Sequence, residues 1–214
     1  MQFRWLKRGQ ALSGASAGPN AEVIVVFGGW AVGPEVFQHL TGPQDILFAS
    51  DYRDLEADLP DLSSYARVSL VAWSFGVASY GHWQQGRADP FGRKVAVNGT
   101  LTPVNRATGV PPSAMTRTIE TLSQDAYQLF LIRVFNLEQP QSDIDIAARR
   151  EELQAIERRG DAHDVTFDLV WISCSDKIFP PANQARAWSE DMVRDIQAPH
   201  APFGQFKAWQ ELMA

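Results

Sequence analysis

The sequence predicts an α/β fold: a mostly parallel central sheet flanked by helices. Short apolar runs recur along the chain without polar alternation, as in strands buried on both faces. Helical patterns separate them, giving the β-α-β order of a parallel sheet. Gly and Pro punctuate the junctions.

In chain order, the first run is Glu22-Val23-Ile24-Val25-Val26-Phe27, closed by Gly28-Gly29. Pro34 to Leu40 reads as a short helix with Pro in its first turn. Asp45 to Ser50 is the second strand and Arg67 to Ala72 the third, with a helix over Ser74 to Gln85 following directly. Lys94 to Asn98 is the fourth strand, closed by Gly99. Thr166 to Ser173 is the fifth, followed by a helix over Pro181 to Asp191. The last helix, Phe203 to Met213, carries Phe206, Trp209 and Leu212 at helical spacing. Residues 102–161 break the rhythm. Pro103, Pro111 and Pro112 lead into Ser123 to Asn136, with apolar Leu122, Ala126, Leu129, Phe130 and Val134, and then into a charged run from Ile144 to Arg159. This stretch reads as a helical lid insertion in a single domain spanning residues 1–214. The length suits a sheet of six or seven strands.

Composition narrows the function. At 214 residues and 45% hydrophobic content the chain suffices for one core. No apolar run approaches the ~20 residues of a membrane helix. The stretch from Met1 to Arg8 does not read as a secretory signal, so a cytoplasmic protein is expected. The single cysteine, Cys174, excludes an internal disulfide and a Cys-rich metal site. A net charge of −6 makes nucleic acid a poor partner. No Gly-Lys-Ser/Thr follows Gly28-Gly29 and no dinucleotide fingerprint is present, so neither cofactor nor metal is expected.

The strongest chemical signal is Val71-Ala72-Trp73-Ser74-Phe75-Gly76-Val77, where a strand ends, a Ser follows and a helix begins. This is the context of the nucleophile elbow of α/β-hydrolases, usually Gly-x-Ser-x-Gly. The flanking residues must be small because strand and helix approach closely there, and Ala72 is the smallest departure from the first Gly. In that fold the catalytic acid and then the His follow the Ser. Asp176 lies just past the fifth strand in Ser175-Asp176-Lys177-Ile178-Phe179-Pro180, and His200 lies in Ala198-Pro199-His200-Ala201-Pro202. Of the four His, His39 and His82 precede any such acid in helical patterns, and His163 sits in a charged loop beside Asp161 and Asp164. Asp51 precedes Ser74 and suits a structural capping role. Ser74 is therefore the expected nucleophile, His200 its base and Asp176 the group that holds the imidazole. Two N–H donors are expected for the oxyanion, one from the Phe75 backbone and one from Trp30 in the Gly28-Gly29-Trp30-Ala31 loop.

Together with Asp51-Tyr52 and Asn98-Gly99-Thr100, these segments resemble the BioG-type pimeloyl-acyl-carrier-protein methyl ester esterases. The resemblance runs from Val23 to Phe206 and is weakest in the insertion. It implies an enzyme of biotin synthesis that cleaves the methyl ester of a pimeloyl group carried on acyl carrier protein. The family's triad maps onto Ser74, Asp176 and His200, and its oxyanion donors onto Trp30 and Phe75.

An acidic carrier requires a local basic patch on this acidic chain. Arg149, Arg150, Arg158 and Arg159 are the expected carrier contacts, with Arg133 nearby, although the first four do not share one helical face. A solvated charged helix would produce the same run. An apolar acyl cleft is expected from Gly29, Trp73, Leu101 and Phe130, with Trp30, Phe75, Leu129 and Val134 as further candidates. The same triad would serve a thioesterase, an acyltransferase or a general short-chain esterase. A non-catalytic, hydrolase-like binding protein is the alternative outside enzymes.

Overall fold

The computed structural model describes residues 1–9, 21–163 and 165–214. Seven strands form one sheet: β1 (Gln2–Lys7), β2 (Glu22–Phe27), β3 (Asp45–Ser50), β4 (Arg67–Trp73), β5 (Arg93–Val97), β6 (Leu169–Ser173) and β7 (Val193–Ile196). Their spatial order is β1-β3-β2-β4-β5-β6-β7. Every pair is parallel except β1 with β3. The helices are α1 (Phe75–Gln84), α2 (Pro112–Thr121), α3 (Gln124–Phe135), α4 (Ile146–Arg159), α5 (Pro181–Ala187) and α6 (Trp209–Met213).

The five expected strands all occur, β2 and β3 with the expected ends and β4, β5 and β6 with one or both ends shifted by one to three residues. β2 and β4 occupy the middle of the sheet, and Val23, Val25, Val26, Phe27, Leu70, Val71 and Ala72 are fully buried. That burial on both faces is why those strands read as continuous apolar runs. The two unanticipated strands are the edges. β1 alternates exposed with partly buried residues. β7, Val193-Arg194-Asp195-Ile196, carries two charges and pairs on one side only.

Helix α1 is buried along almost its whole length, with only His82 partly exposed. The expected helix at Pro34 to Leu40 is only a 3₁₀ turn, Pro34–Phe37. The expected C-terminal helix is divided. A 3₁₀ turn at Phe203–Gln205 is followed by extended backbone at Phe206, and Ala208 forms a bridge to Thr41 before α6 begins. The segment after β6 remains helical only to Ala187, because Trp188 turns extended and its indole donates to the Gly99 carbonyl at 3.0 Å.

Three helices stand between β5 and β6. α2, which the sequence pattern did not indicate, starts at Pro112, where a missing N–H costs nothing. α3 is capped by Ser123, whose hydroxyl accepts from the Ala126 N–H, and ends at Asn136 in the left-handed region (φ 53°). α4 is capped by Asp145, which accepts from Ala148, and ends at Gly160 (φ 69°). No helix among the described residues is long and apolar enough to cross a membrane.

Candidate active site

Ser74 joins β4 to α1 with φ 60° and ψ −129°, a conformation that a non-glycine residue holds only under tertiary constraint. The constraint comes from two glycines. A Cβ on Gly76 would lie 2.3 Å from the Phe27 carbonyl oxygen and 2.5 Å from that of Gly28. A Cβ on Gly99 would lie 2.3 Å from the Ser74 carbonyl oxygen. The elbow is thus wedged between the ends of β2 and β5, with the Ser74 N–H bonded to the Val97 carbonyl at 2.9 Å.

His200 Nε2 lies 2.9 Å from Ser74 Oγ, and Nδ1 lies 2.8 Å from Asp176 Oδ2. All three side chains are buried. With the proton on Nδ1, the imidazole donates to Asp176 and accepts from the Ser74 hydroxyl. Asp176 is fixed by further donors. Its Oδ1 accepts from the N–H groups of Ile178 and Phe179, and its Oδ2 also accepts from Gln184 Nε2 at 3.0 Å. His200 is held at its backbone, where its carbonyl accepts from Asn98 Nδ2 at 2.8 Å and from Trp73 Nε1 at 3.0 Å. The Phe179 ring lies parallel to the imidazole at 6.1 Å.

Asn98 also donates to Ser173 Oγ and accepts from the Ser173 N–H, joining the ends of β5 and β6 behind the His200 loop. Sequence reasoning assigned no role to Asn98 or Gln184. Asn98 carried a faint signal, a polar residue closing an apolar strand before Gly. Gln184 carried none, being one amide on a short helix.

The backbone N–H of Phe75 opens α1 beside Ser74, where first-turn N–H groups have no partner inside the helix. Trp30 follows β2 and faces the same end of the sheet. Its indole N–H is engaged elsewhere, donating to the Arg149 carbonyl of α4 at 2.9 Å, while its main-chain N–H has no partner among the described residues.

The residues expected to form an acyl cleft are placed differently from one another. Trp73 is buried against the His200 ring and Phe203, below Gly29, whose Cβ position lies 3.0 Å from the Trp73 ring. Trp73 thus braces the His200 loop, and Gly29 leaves room for its ring. Leu101 packs against Gly81, two turns along α1, away from Ser74. Phe130 does line a narrow cleft of about 80 Å³ with Trp30, Phe75, Met115, Leu153 and Ile178, and meets Trp30 edge-to-face at 5.0 Å.

The four Arg residues expected to meet a carrier are mostly committed within the fold. Arg149 pairs with buried Glu152 and lies 3.6 Å from Asp51. Arg150 donates to the Ile119 and Leu122 carbonyls at the end of α2. Arg159 donates to the Tyr52 carbonyl, and only Arg158 is exposed without such a contact. Burial pushes the Glu152 carboxyl above its ordinary range. Asp51 is an ion-pair residue more than a cap: its hydrogen bonds with Arg53 hold its carboxyl below the ordinary range.

His39 and His82 bond to the carbonyls of Phe203 and Gly160, and His163 is exposed. Asp164 lies outside the described residues. Among the described residues no cluster of His, Cys, Asp and Glu could hold a metal ion.

The sheet order, the strained Ser after β4 and the following acid and His make this an α/β-hydrolase of the ester-hydrolysing class. The fold is shared with proteins of low identity: an esterase from Exiguobacterium antarcticum has 14% identity and TM-score 0.63 over 85% of each chain, and an enol-lactonase from Burkholderia xenovorans LB400 has 15% identity and TM-score 0.65 over 94% of this chain and 89% of that one. The family described as pimeloyl-ACP methyl esterase BioG matches residues 16–212, and the chain belongs to that family. The crystal structure of BioG from Haemophilus influenzae is 28% identical, with TM-score 0.84 and full coverage of both chains. A Haemophilus influenzae protein described only as uncharacterized is 32% identical over 89% of this chain and 93% of its own. A malonyl-[acyl-carrier protein] O-methyltransferase from Bacteroides fragilis is 34% identical over 79% of this chain, which spans only 37% of that longer protein.

Proposed function

We propose that this protein hydrolyses the methyl ester of a pimeloyl group carried on acyl carrier protein, with Ser74 as nucleophile, His200 as general base and acid, and Asp176 as the group that orients His200. The observation that carries the reading is His200 bridging Ser74 Oγ at 2.9 Å and Asp176 at 2.8 Å, beside an apolar cleft. Membership of the BioG family supports the choice of substrate.

Ser74 Oγ attacks the ester carbonyl carbon as His200 Nε2 takes its proton. The oxyanion is held by the main-chain N–H groups of Phe75 and Trp30, aided by the N-terminal dipole of α1. Collapse breaks the bond to the methoxy oxygen. His200 returns the proton, and methanol leaves. A water deprotonated by His200 then attacks the acyl-enzyme, releasing the free carboxylate and restoring Ser74. The buried Asp176–His200 bond holds the ring in the tautomer each step needs.

The test is turnover of the carrier-linked methyl ester together with labelling by a fluorophosphonate. Wild type is expected to do both and Ser74→Ala neither. Labelling that survives Ser74→Ala, or a wild type inert toward the ester, refutes the reading.

A further inference from the structure

The loop after β2, Gly28 to Ala31, is held at its two ends by different parts of the molecule. The core holds its start: the Gly28 N–H donates to the Ala49 carbonyl at 3.0 Å, and the Gly28 carbonyl accepts from the buried Tyr52 hydroxyl at 2.9 Å. The helices between β5 and β6 hold its end. The Tyr127 hydroxyl of α3 donates to the Ala31 carbonyl at 2.8 Å, and the Trp30 indole donates to the Arg149 carbonyl of α4. Phe130, one turn after Tyr127, stacks on the Tyr127 ring at 6.3 Å and meets Trp30 edge-to-face at 5.0 Å, so the three rings pack as one buried block. Ala31 itself lies in the left-handed region (φ 56°), where glycine is the usual residue. An alanine holds that conformation only if a bond from outside the loop selects it. Tyr127 supplies the only side-chain hydrogen bond to Ala31 among the described residues. Burial pushes the Tyr127 hydroxyl above its ordinary range, which keeps it a donor.

We propose that Tyr127 is a positioning residue for the oxyanion hole: by fixing the Ala31 carbonyl it holds the turn that presents the Trp30 main-chain N–H to the reacting carbonyl. This rests on the reading of the site as a serine esterase whose oxyanion is held by Trp30 and Phe75. The two donors differ in what fixes them. The Phe75 N–H is set by the elbow, within the sheet and α1, whereas the Trp30 N–H sits in a loop whose far end is tied only to α3 and α4. The helical insertion is thereby part of the frame that stabilises the transition state, since a donor counts only at the place where the charge develops.

The test compares wild type, Tyr127→Phe and Tyr65→Phe on p-nitrophenyl butyrate, an ester that needs no carrier. Tyr65→Phe removes another buried hydroxyl bond, to Asp45 at 2.7 Å at the opposite end of β3 from the loop, and so reports what loss of stability alone does. Tyr127→Phe is expected to lower kcat at least fivefold with KM within twofold. It is expected to weaken binding of a trifluoromethyl ketone, whose adduct with Ser74 carries an oxyanion, by the same factor. Tyr65→Phe should stay within twofold of wild type in all three quantities. Adding Ala31→Gly to Tyr127→Phe is expected to recover part of the lost kcat, because glycine adopts the left-handed turn at no steric cost. A fall in kcat of less than fivefold in Tyr127→Phe overturns the proposal. So does an equal fall in Tyr65→Phe, an unchanged affinity for the ketone, or a double variant no faster than Tyr127→Phe. The carrier-linked methyl ester is assayed alongside. A Tyr127-dependent rate on p-nitrophenyl butyrate, with no cleavage of the carrier-linked ester by wild type, removes the proposed substrate and leaves Tyr127 in its role. Cleavage of both esters by Tyr127→Phe at the wild-type rate does the reverse.

Discussion

Gly76→Ala tests whether the elbow works by close approach of three backbone segments. The new Cβ would sit 2.3 Å from the Phe27 carbonyl oxygen and 2.5 Å from that of Gly28. Reaching even a 3.0 Å contact requires a retreat of roughly 0.7 Å, and because both neighbours are backbone no side chain can swing aside. The retreat separates α1, which carries Ser74 and the Phe75 N–H, from the β2 loop that carries the Trp30 N–H. Misplacement on the order of 1 Å in such a constellation costs about 10²-fold in rate. Overpacking costs about 1–3 kcal/mol in stability. The expected outcome is a folded protein with kcat lowered about 10²-fold and KM changed much less, read by ester hydrolysis alongside chemical denaturation. Gly92→Ala is the control, since nothing lies within 4 Å of its Cβ position. A Gly76→Ala protein with kcat within threefold of wild type would refute the reasoning.

Gln184→Met removes one donor from Asp176 Oδ2 and one from the Phe179 carbonyl while keeping similar volume. It is expected to lower kcat about tenfold with KM little changed, and to cost about 1–3 kcal/mol in a denaturation midpoint. Phe130→Ala opens one wall of the cleft and is expected to raise KM for acyl substrates more than it lowers kcat, as measured by steady-state kinetics on a chain-length series. Asp51→Asn removes the carboxylate that pairs with Arg53 and Arg149. Because the folded state lowers the Asp51 pKa, its contribution is present above the ordinary value of 3.8 and is lost as pH falls through the lowered folded value. Wild type should therefore exceed Asp51→Asn in stability at pH 7, with the gap closing below pH 3.8, measured by urea unfolding across that range.

The central strands and the elbow were legible in the sequence because both follow from local pattern. β2 and β4 are buried on two faces, so they must be apolar throughout, and a Ser between a strand and a helix needs small neighbours. Chain order then selected Asp176 and His200, and the structure brings both to Ser74. The edge strands were harder. β1 has one face against the core, and β7 is short and charged, so neither forms a continuous apolar run. α2 was hidden by its start, where Pro111 and Pro112 suggested a loop.

What the sequence by itself determined was the fold class, the place of the strand-to-helix elbow at Ser74 and the order of the acid and His that follow it, because these depend on periodicity and on order along the chain. Which charges face solvent was decided only in three dimensions. Arg149, Arg150 and Arg159 are drawn inward by Glu152, Asp51, the end of α2 and the Tyr52 carbonyl, while Arg158 on the same helix stays exposed. The physical reason is that an arginine's role depends on the acceptors within its reach, and those acceptors come from elements that only tertiary packing places beside it.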